Sequence, residues 1–394
     1  MQLHPLGLAL YPVLVILTYK YQLRPTPSQV KRLNSILEDQ RLLYNAALQE
    51  RIGCYTKTGK SITLFDQCKS LTKWRQSDAG AKSLPANLQR WTLRRLDAAF
   101  QAFFRRCKAK SSKAGFPRYR AFSRWHSFGF SEFSGIILQQ DRLQFCGMAL
   151  RMHMHRPLPD SKITGCQFTK TDSGWCISIQ VKLPDVSLRE VQSLVGLDVG
   201  LSHLAATSEG ELIANPRVAK KYERELRRRQ RAMMRCKRGS KTRERRRRQV
   251  NRCHRKIANT RATYLHQISA DLVCHYDLIA LEDLNICGMV QSRLAKSIHD
   301  ASWHRLRENL SYKAARAGVQ IITVHPRYTS QLCSECGTLV PKKLSDRVHR
   351  CQQCGVEMDR DVNAARVILH KAVVGLGLAN VIQWDERPVG QFSN

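Results

Sequence analysis

The first third of the chain changes from a strand-like to a helix-like pattern of apolar residues. Residues 15–23, VILTYKYQL, end in alternating apolar and polar positions, which predicts a buried strand. Apolar residues then recur at broadly helical spacing over residues 30–52 and again over residues 88–110. These two runs predict a small helical domain that follows the strand.

The middle of the chain predicts an antiparallel sheet. Residues 122–185 contain short alternating runs, such as SGIILQQDRLQF and GWCISIQVKL, which are typical of strands joined by hairpins. We expect the strand at residues 15–23 to join this sheet, so that the helical domain is an insertion into it.

From residue 193 onward the pattern predicts a third region. Residues 193–210 fit a strand, a tight glycine turn and further strand, and an extremely basic run follows at residues 217–256. The remaining predicted elements are a helix around 262–275, a strand at 277–281, a helix from Trp303, a strand at 319–325 and a last helix after Asp361. This order is that of an RNase H-like α/β fold, although spacing alone does not establish that fold.

The charge of the chain points to a polyanionic partner. Its 394 residues carry 66 Lys and Arg against 31 Asp and Glu, a formal charge of +35 at pH 7. That excess is far more than solubility requires, so nucleic acid is the favoured partner and an anionic membrane surface the weaker one. No uninterrupted apolar stretch reaches the length of about 20 residues that spans a bilayer.

The apolar N-terminus resembles a secretory signal only in part. No Lys or Arg precedes residues 6–17, Pro12 interrupts them, and no small-residue cleavage site follows. Two interpretations stay open: a lead into the buried strand, or an extension over residues 1–14 that lies upstream of the native start.

Four of the 14 cysteines have the spacing of a zinc ribbon. Cys333, Cys336, Cys351 and Cys354 form the pattern C-x2-C-x14-C-x2-C, and a glycine follows each pair. Four thiolates close a tetrahedral site and leave no position for water, so the pattern predicts one structural zinc ion. The other ten cysteines show no paired spacing, and we interpret them as free thiols that are mostly buried.

Acidic residues at the ends of predicted strands suggest a second metal site. Asp198 lies in the apolar strand VGLDVG, where a buried acid is costly unless a cation compensates. Glu282 and Asp283 directly follow another apolar run, and we favour Glu282 because it is closer to the strand interior. Asp361 lies just before the last helix, and Asp359 is its competitor, which could equally act as a helix cap. Carboxylate oxygens are the ligands that Mg²⁺ prefers, and two such ions can support phosphodiester cleavage.

The motifs GLDVG, LEDLN, TSQLCSECG…CQQCG and DRDVNAA together resemble the TnpB family of transposon-encoded proteins. The upstream stretches YKYQLRPT, LLYNAAL and GFPRYR are also similar to that family, so the resemblance covers residues 17–369. It implies an RNA-guided DNA endonuclease that cuts double-stranded DNA next to a short target-adjacent motif. The implied catalytic residues, which bind two Mg²⁺ ions, are Asp198, Glu282 and Asp361. The resemblance thus favours Asp361 over Asp359.

The resemblance also implies a domain plan. An N-terminal wedge-like β-barrel carries an inserted helical recognition domain, and an RNase H-like (RuvC) nuclease domain is interrupted by the zinc ribbon. The expected ranges are 1–24 and 122–190 for the barrel, 25–121 for the helical domain, 191–328 and 358–372 for the nuclease domain, 329–357 for the ribbon and 373–394 for a tail.

A guide RNA from the transposon end and target double-stranded DNA are the implied partners, without a membrane, in the cytoplasm and nucleoid of a prokaryotic cell. Guide–target pairing carries sequence specificity, so the protein needs mainly backbone contacts. The basic run at 217–256 has two interpretations, phosphate contact and a solvated helical hairpin. A solvated hairpin usually balances its charges as i,i+4 pairs, and this run has too few acids for that, so phosphate contact is favoured. The candidate nucleic-acid contacts are Lys69, Lys73, Arg118, Arg227, Arg228, Arg245 and Arg246.

Two other functions remain as alternatives. One is a nuclease-dead regulator that occupies DNA, against which the intact set of acids argues. The other is a strand-transferring transposase, since such enzymes also use acid triads on this fold.

Overall fold

The computed structural model describes residues 16–109, 114–131, 136–343 and 346–377. The expected N-terminal extension over residues 1–14 and most of the expected tail at 373–394 lie outside these ranges. The described chain divides into two compact units, residues 16–184 and residues 185–377.

The first unit combines a helical segment with an antiparallel sheet. Its strands are β1 (Ile16–Leu23), β2 (Ser127–Phe130), β3 (Ile136–Gln139), β4 (Arg142–Phe145), β5 (Met148–His153), β6 (Ile163–Thr171) and β7 (Gly174–Lys182). Its helices are α1 (Pro27–Thr58), α2 (Leu64–Ser77), α3 (Ala79–Lys82) and α4 (Ala86–Lys108). The strands pair in the order β2-β6-β7-β1-β5-β4-β3, and every pairing is antiparallel.

Strand β1 lies inside this sheet, between β5 and β7, so the four helices are inserted between two strands of one sheet. Helix α1 begins with a capping box, in which the Thr26 side chain and the Gln29 side chain each accept from the other's backbone N–H. Sequence reasoning missed α2, whose apolar spacing is weak. Its own capping box, formed by Thr63 and Asp66, is the signal that could have predicted it.

The second unit has a mixed sheet covered by helices. Its strands are β8 (Leu194–Val199), β9 (His203–Thr207), β10 (Leu212–Ala214), β11 (Leu278–Glu282), β12 (Gln320–Val324), β13 (Val348–Arg350) and β14 (Glu357–Asp359). Its helices are α5 (Val218–Met234), α6 (Lys241–His275), α7 (Ile286–Met289), α8 (Ala295–Ala301), α9 (Trp303–Ala317) and α10 (Arg360–Gly375). Five strands pair in the order β10-β9-β8-β11-β12, where β8, β9 and β10 are antiparallel and β8, β11 and β12 are parallel.

The two faces of this five-stranded sheet have separate cores. On one face, Val195 and Leu197 of β8 and Ile279 and Leu281 of β11 pack in a cluster with residues of α6, α8 and α9. On the other face, Leu278 and Ala280 of β11 pack with residues of α10, including Ile368, Ala372 and Leu376. Because side chains alternate along a strand, each β8 or β11 residue can be assigned to the α9 face or the α10 face.

The basic run folds as the hairpin of α5 and α6. Gly239, with φ 84°, lies in the turn, and the Ser240 side chain caps α6 by accepting from Arg243 N. A short apolar contact joins the helices through Val218, Cys253 and Ile257. The helix expected around residues 262–275 is the last part of α6, continuous with the basic run.

Two further findings concern the whole described chain. Among the helices of the described ranges, none combines the length and apolar character needed to cross a membrane. The expectation that the ten unpaired cysteines are mostly buried is wrong, since only Cys166, Cys176 and Cys253 are buried. The others are half-buried or exposed because they lie on helix surfaces and in turns, where thiols need no apolar partner.

Candidate metal centres of the second unit

Parallel pairing brings Asp198 and Glu282 to the same end of the sheet. In the register of β8 and β11, Leu197 lies opposite Leu281, and the next residue on each strand is the acid. Neighbouring strands are about 4.8 Å apart, and residues opposite each other in a parallel pair point to the same face. The two carboxylates therefore lie side by side at the carboxyl ends of two parallel strands.

The alternation of side chains assigns these acids to the α10 face. Glu282 follows Leu278 and Ala280 at a period of two, and both of those residues pack against α10. Asp283 points the other way, towards α9, where it forms an ion pair with Arg307 at 2.8 Å. The structure therefore separates the two neighbouring acids: Glu282 faces α10, and Asp283 is an exposed ion-pair partner.

Helix α10 brings a third acid to this end of the sheet. Asp359 is its N-cap, because the Asp359 carboxylate accepts from the backbone N–H of Asp361 at 2.8 Å and of Val362 at 3.3 Å. Asp361 lies in the first turn and is free of the capping role. Its Oδ1 lies 3.3 Å from the Arg360 guanidinium. Asp359 therefore caps the helix, whereas the Asp361 carboxylate is not engaged in the cap.

Gly196 allows α10 to lie close to β8. A Cβ atom at Gly196 would be 2.1 Å from the backbone O of Ala365 and 2.9 Å from Cβ of Leu369. No side chain fits in that space. Gly200, just beyond Asp198, is near the same helix, since a Cβ there would lie 3.8 Å from Oδ2 of Asp361. These two glycines explain why the first turn of α10 reaches the ends of the strands.

Electrostatics distinguish this group of acids from ordinary surface carboxylates. Burial raises the pKa of Asp198 well above its usual value, and repulsion from Glu282 and Asp361 raises that pKa further. Burial also raises the pKa of Glu282, against the opposing effects of a hydrogen bond from Thr329 and the charge of Lys371. No hydrogen-bond donor to the Asp198 carboxylate is found among the described residues. A cluster of half-buried like charges with few donors is suited to binding cations.

The four cysteines form the more compact of the two candidate ligand groups. Within the described ranges, the four cysteines are the one group of three or more potential ligands whose atoms all lie within 4.8 Å of one another. The oxygen donor set of Asp198, Glu282 and Asp361 fits hard divalent cations.

The four predicted cysteine ligands come together as a compact cluster. The Sγ atoms of Cys333 and Cys354 are 3.6 Å apart, and those of Cys336 and Cys351 are 3.5 Å apart. A tetrahedral zinc ion with Zn–S bonds of about 2.3 Å places its sulfurs about 3.8 Å apart, so the cluster fits zinc. Gly337 and Gly355 have φ values of 70° and 76°, which lets each pair form a tight turn.

Two buried polar residues lie between the cysteine cluster and the acids. Thr329, which is 3% exposed, donates its hydroxyl to Oε1 of Glu282. Asn363, which is fully buried, accepts from Ser334 N at 3.0 Å and donates to Leu332 O at 2.7 Å. Sequence reasoning gave neither residue a role. Their position beside the cysteine and acid motifs is the signal that could have identified them.

The predicted nucleic-acid contacts are all exposed. Lys69, Lys73 and Arg118 belong to the first unit, and Arg227, Arg228, Arg245 and Arg246 belong to α5 and α6 of the second. Lys69 lies over the Phe65 ring at 4.7 Å, and Arg227 pairs with Glu223 at 3.2 Å. Nothing in the described structure tests whether these side chains contact nucleic acid, so their role stays a prediction.

Comparisons with known proteins agree with this architecture. Family models match residues 15–60, described as "Helix-turn-helix domain", 178–293, described as "Probable transposase", and 303–368, described as "Cas12f1-like, TNB domain". A Streptomyces pristinaespiralis protein named "Putative RNA-guided DNA endonuclease" is 33% identical over 365 residues, covering 89% of this chain and 88% of that protein. A protein with the same name and the symbol InsQ, from Escherichia coli K12, is 29% identical over 398 residues, covering 95% and 96%.

A solved structure, of a Cas12f1–sgRNA–target DNA complex, matches with a TM-score of 0.61 at 13% identity, covering 87% of this chain and 83% of that one. The likeness shows that the fold is the mixed α/β fold of a Cas12f1-type protein. The chain belongs to the TnpB family of RNA-guided DNA endonucleases, and the predicted membership is confirmed.

Proposed function

We propose that this chain is an RNA-guided DNA endonuclease that cleaves double-stranded target DNA next to a short target-adjacent motif. The observation that carries the proposal is the convergence of Asp198, Glu282 and Asp361 at one end of the five-stranded sheet. The names of relatives that match nearly the whole chain support the same function. An intact set of acids favours a nuclease over a DNA-occupying regulator.

The second unit is proposed to be an RNase H-like (RuvC) nuclease domain interrupted by the zinc ribbon. Its strand order supports this assignment. The antiparallel strands β8, β9 and β10 come first in the chain, and β11 then pairs in parallel with β8 and β12 with β11. The first unit is proposed to be the wedge-like barrel with its inserted helical recognition domain, as the antiparallel sheet and its inserted helices suggest. The domain boundaries expected from the resemblance stand as part of this proposal.

Asp198, Glu282 and Asp361 would hold two Mg²⁺ ions. When bound, magnesium neutralises charge on a phosphodiester and lowers the pKa of a coordinated water. The chain's own contribution is to keep the three carboxylates close despite their repulsion. Asp359 fixes the start of α10 by capping it, and Gly196 leaves room for α10 against β8.

The basic surfaces would hold the guide RNA and the DNA backbone. One surface along α5 and the residue after it is strongly basic. It is formed by Lys220, Arg224, Arg228, Arg231 and Arg235, with Glu223 as an acidic residue among them. Such a surface suits phosphate contacts, which give affinity without reading sequence. Arg75, which lies near Lys73 in α2, has a different role. It donates to the carbonyls of Ala81 and Leu84 at 2.8 and 2.7 Å within the first unit.

A cleavage assay with the purified ribonucleoprotein, a target plasmid and Mg²⁺ tests this function. We expect Asp198→Ala to abolish cutting while guided binding of the target persists, because the acid contributes to the metal site and not to phosphate contacts. Binding without any cut product by the unaltered protein would favour the regulator. Products whose ends are joined to new DNA would favour a transposase.

A further inference from the structure

Thr329 of the zinc ribbon contacts Glu282, and Asn363, two residues after Asp361 on α10, contacts the backbone of the ribbon. We propose that Thr329 and Asn363 are positioning residues, through which the ribbon orients Glu282 and holds Asp361 in place. The proposal rests on the proposed function, since it takes these acids as the cation-binding group. It extends that function by making the ribbon a structural part of the catalytic centre.

Thr329 acts on Glu282 directly. The residue is buried at the start of the ribbon, and its hydroxyl donates to Oε1 of Glu282. The same hydroxyl lies 2.9 Å from the carbonyl of Pro326, but a carboxylate is the stronger acceptor for its one proton. With Oε1 held, the rotamer of Glu282 is fixed and Oε2 is the oxygen left for a cation.

The turn that carries Thr329 is held on both sides. The backbone N–H groups of Gln331 and Leu332 donate to the carbonyl of Tyr328 at 3.0 and 2.9 Å, and this tight turn leads into Cys333. Tyr328 has φ 64°, a left-handed conformation that a residue other than glycine adopts only when its surroundings hold it. Lys371 of α10 donates to the carbonyl of Arg327 at 2.6 Å and so fixes the turn to the helix.

Asn363 acts on Asp361 through the helix. Its side chain satisfies one donor and one acceptor of the backbone that flanks Cys333, namely Ser334 N and Leu332 O. Because Asn363 and Asp361 lie in the same turn of α10, this contact fixes the position of Asp361 relative to the first cysteine pair. A further ion pair, between Arg366 and Glu335 at 3.1 Å, ties the next turn to the ribbon.

Metal binding by the four thiolates would order the ribbon, and the ordered ribbon would constrain Glu282 through Thr329 and Asp361 through Asn363. One hydrogen bond links the ribbon to Glu282. Asn363, which binds the ribbon backbone, lies two residues after Asp361 on α10. Within the described part of the ribbon, no side chain bonds to Asp198, which is held in β8 by pairing with Ala206 of β9. The proposal therefore predicts that the ribbon contacts affect cation binding and leave nucleic-acid binding unchanged.

Thr329→Val and Thr329→Ser form a matched pair for the test. Valine keeps the shape and removes the hydroxyl, whereas serine keeps the hydroxyl. We would measure Mn²⁺ affinity of the full-length ribonucleoprotein by calorimetry, its retained zinc, its guided DNA binding and the Mg²⁺ dependence of cleavage. We expect valine to weaken Mn²⁺ binding about tenfold and slow cleavage by about 10- to 100-fold. We expect serine to stay near the unaltered protein, with zinc content and guided binding equal in all three.

The proposal would be overturned if valine bound Mn²⁺ as tightly as threonine, or if serine and valine weakened it equally, since the hydroxyl would then have no role. Asn363→Ala provides a second variant, expected to weaken Mn²⁺ binding while zinc is retained; unchanged Mn²⁺ affinity there would remove Asn363 from the proposal. If the unaltered protein bound Mn²⁺ but cut no DNA, the proposed function would fail while the Thr329 comparison would still be decided.

Discussion

The two ends of strands β8 and β11 treat their acids in opposite ways. At the starting end, Asp277 precedes β11 and accepts from Ser193 Oγ at 2.9 Å and from the backbone N–H of Ser193 and Gln192 at 3.1 and 3.2 Å. Arg189 lies 3.5 Å from its other oxygen. Burial acts to raise the pKa of Asp277, but these hydrogen bonds outweigh it and the pKa is lowered. The protein itself satisfies this carboxylate.

At the finishing end, Asp198 has no hydrogen-bond donor among the described residues, whereas Glu282 accepts from Thr329 and Asp361 lies 3.3 Å from Arg360. The pKa of Asp198 is raised by burial and by its two neighbours, the opposite direction from Asp277. Deeper burial is the largest cause of the raised pKa of Asp198, whereas the hydrogen bonds and the nearby Arg189 lower the pKa of Asp277. An acid that the protein satisfies serves the fold, whereas a group of acids with few donors is suited to binding a cation.

The largest expected effect is a difference in cleavage rate between variants of two adjacent residues at the finishing end, Glu282 and Asp283. Glu282→Gln removes a charged ligand on the α10 face, and Asp283→Asn removes an exposed partner of Arg307 on the α9 face. If a lost metal contact costs about 4 kcal/mol of transition-state stabilisation, cleavage falls about a thousandfold for Glu282→Gln. Asp283→Asn should cut at close to the original rate. Equal loss in both variants, in single-turnover cleavage assays, would contradict the assignment of faces.

The next effect concerns how the finishing end is assembled. In Gly196→Ala, the new Cβ would meet Ala365 O at 2.1 Å, so α10 must move away from β8 and carry Asp361 with it. We expect a loss of roughly 1–3 kcal/mol in the free energy of unfolding, as for overpacked cores, together with slower cleavage. Gly375→Ala is the control, because nothing lies within 4 Å of its Cβ in the same helix, and it should stabilise slightly. Chemical denaturation measures both, and a Gly196→Ala protein as stable as the original would show that the close approach is not needed.

A smaller effect concerns the free energy of unfolding. Removing the charge of Asp198 should raise it, whereas removing the charge of Asp277 should lower it. Without magnesium but with zinc retained, Asp198→Asn removes like-charge repulsion and should raise the free energy of unfolding at pH 7 by about 1 kcal/mol. Added Mg²⁺ should reduce or reverse that gain, because only the original protein then gains binding energy. Denaturation curves with and without Mg²⁺ provide the measurement. Destabilisation by Asp198→Asn in magnesium-free buffer would mean that its carboxylate is already satisfied by the protein.

The smallest effect is at the starting end and depends on pH. Asp277→Asn should lower the free energy of unfolding at pH 7 by about 1 kcal/mol, because the charged acceptor for Ser193 is lost. The folded-state pKa of Asp277 is lowered, so its stabilisation is present above the ordinary aspartate range and disappears as pH falls through the folded pKa. The two proteins should therefore converge in stability below about pH 4. A difference that persisted unchanged into acid would exclude a contribution from the charge.

The parts of the molecule that depend on local sequence were predictable. The cysteine pattern gave its four ligands because the pairs and their glycine turns are each contained in five residues. Strand β11 was predicted within one residue, and period-two alternation correctly separated Glu282 from Asp283. The choice of Asp361 came from the resemblance to a family, because capping by Asp359 depends on a helix start that the sequence alone does not fix.

The parts that depend on distant contacts were not predictable. The register of β8 against β11 joins residues more than 80 positions apart, and neither strand encodes it alone. The close approach of α10 at Gly196, the hydroxyl of Thr329 and the amide of Asn363 matter only through that packing. Helix α2 was not predicted for another reason. Its sequence is mostly polar, so its helical period is hard to see, and its capping box is the clearer sign of the helix.

Anomalous diffraction from crystals of the ribonucleoprotein in Mn²⁺ tests the central claim most directly, because it locates the ions without reference to cleavage. The account predicts two manganese peaks about 4 Å apart, coordinated by carboxylate oxygens of Asp198, Glu282 and Asp361. Their absence from all three carboxylates in a guide- and target-bound complex would contradict it.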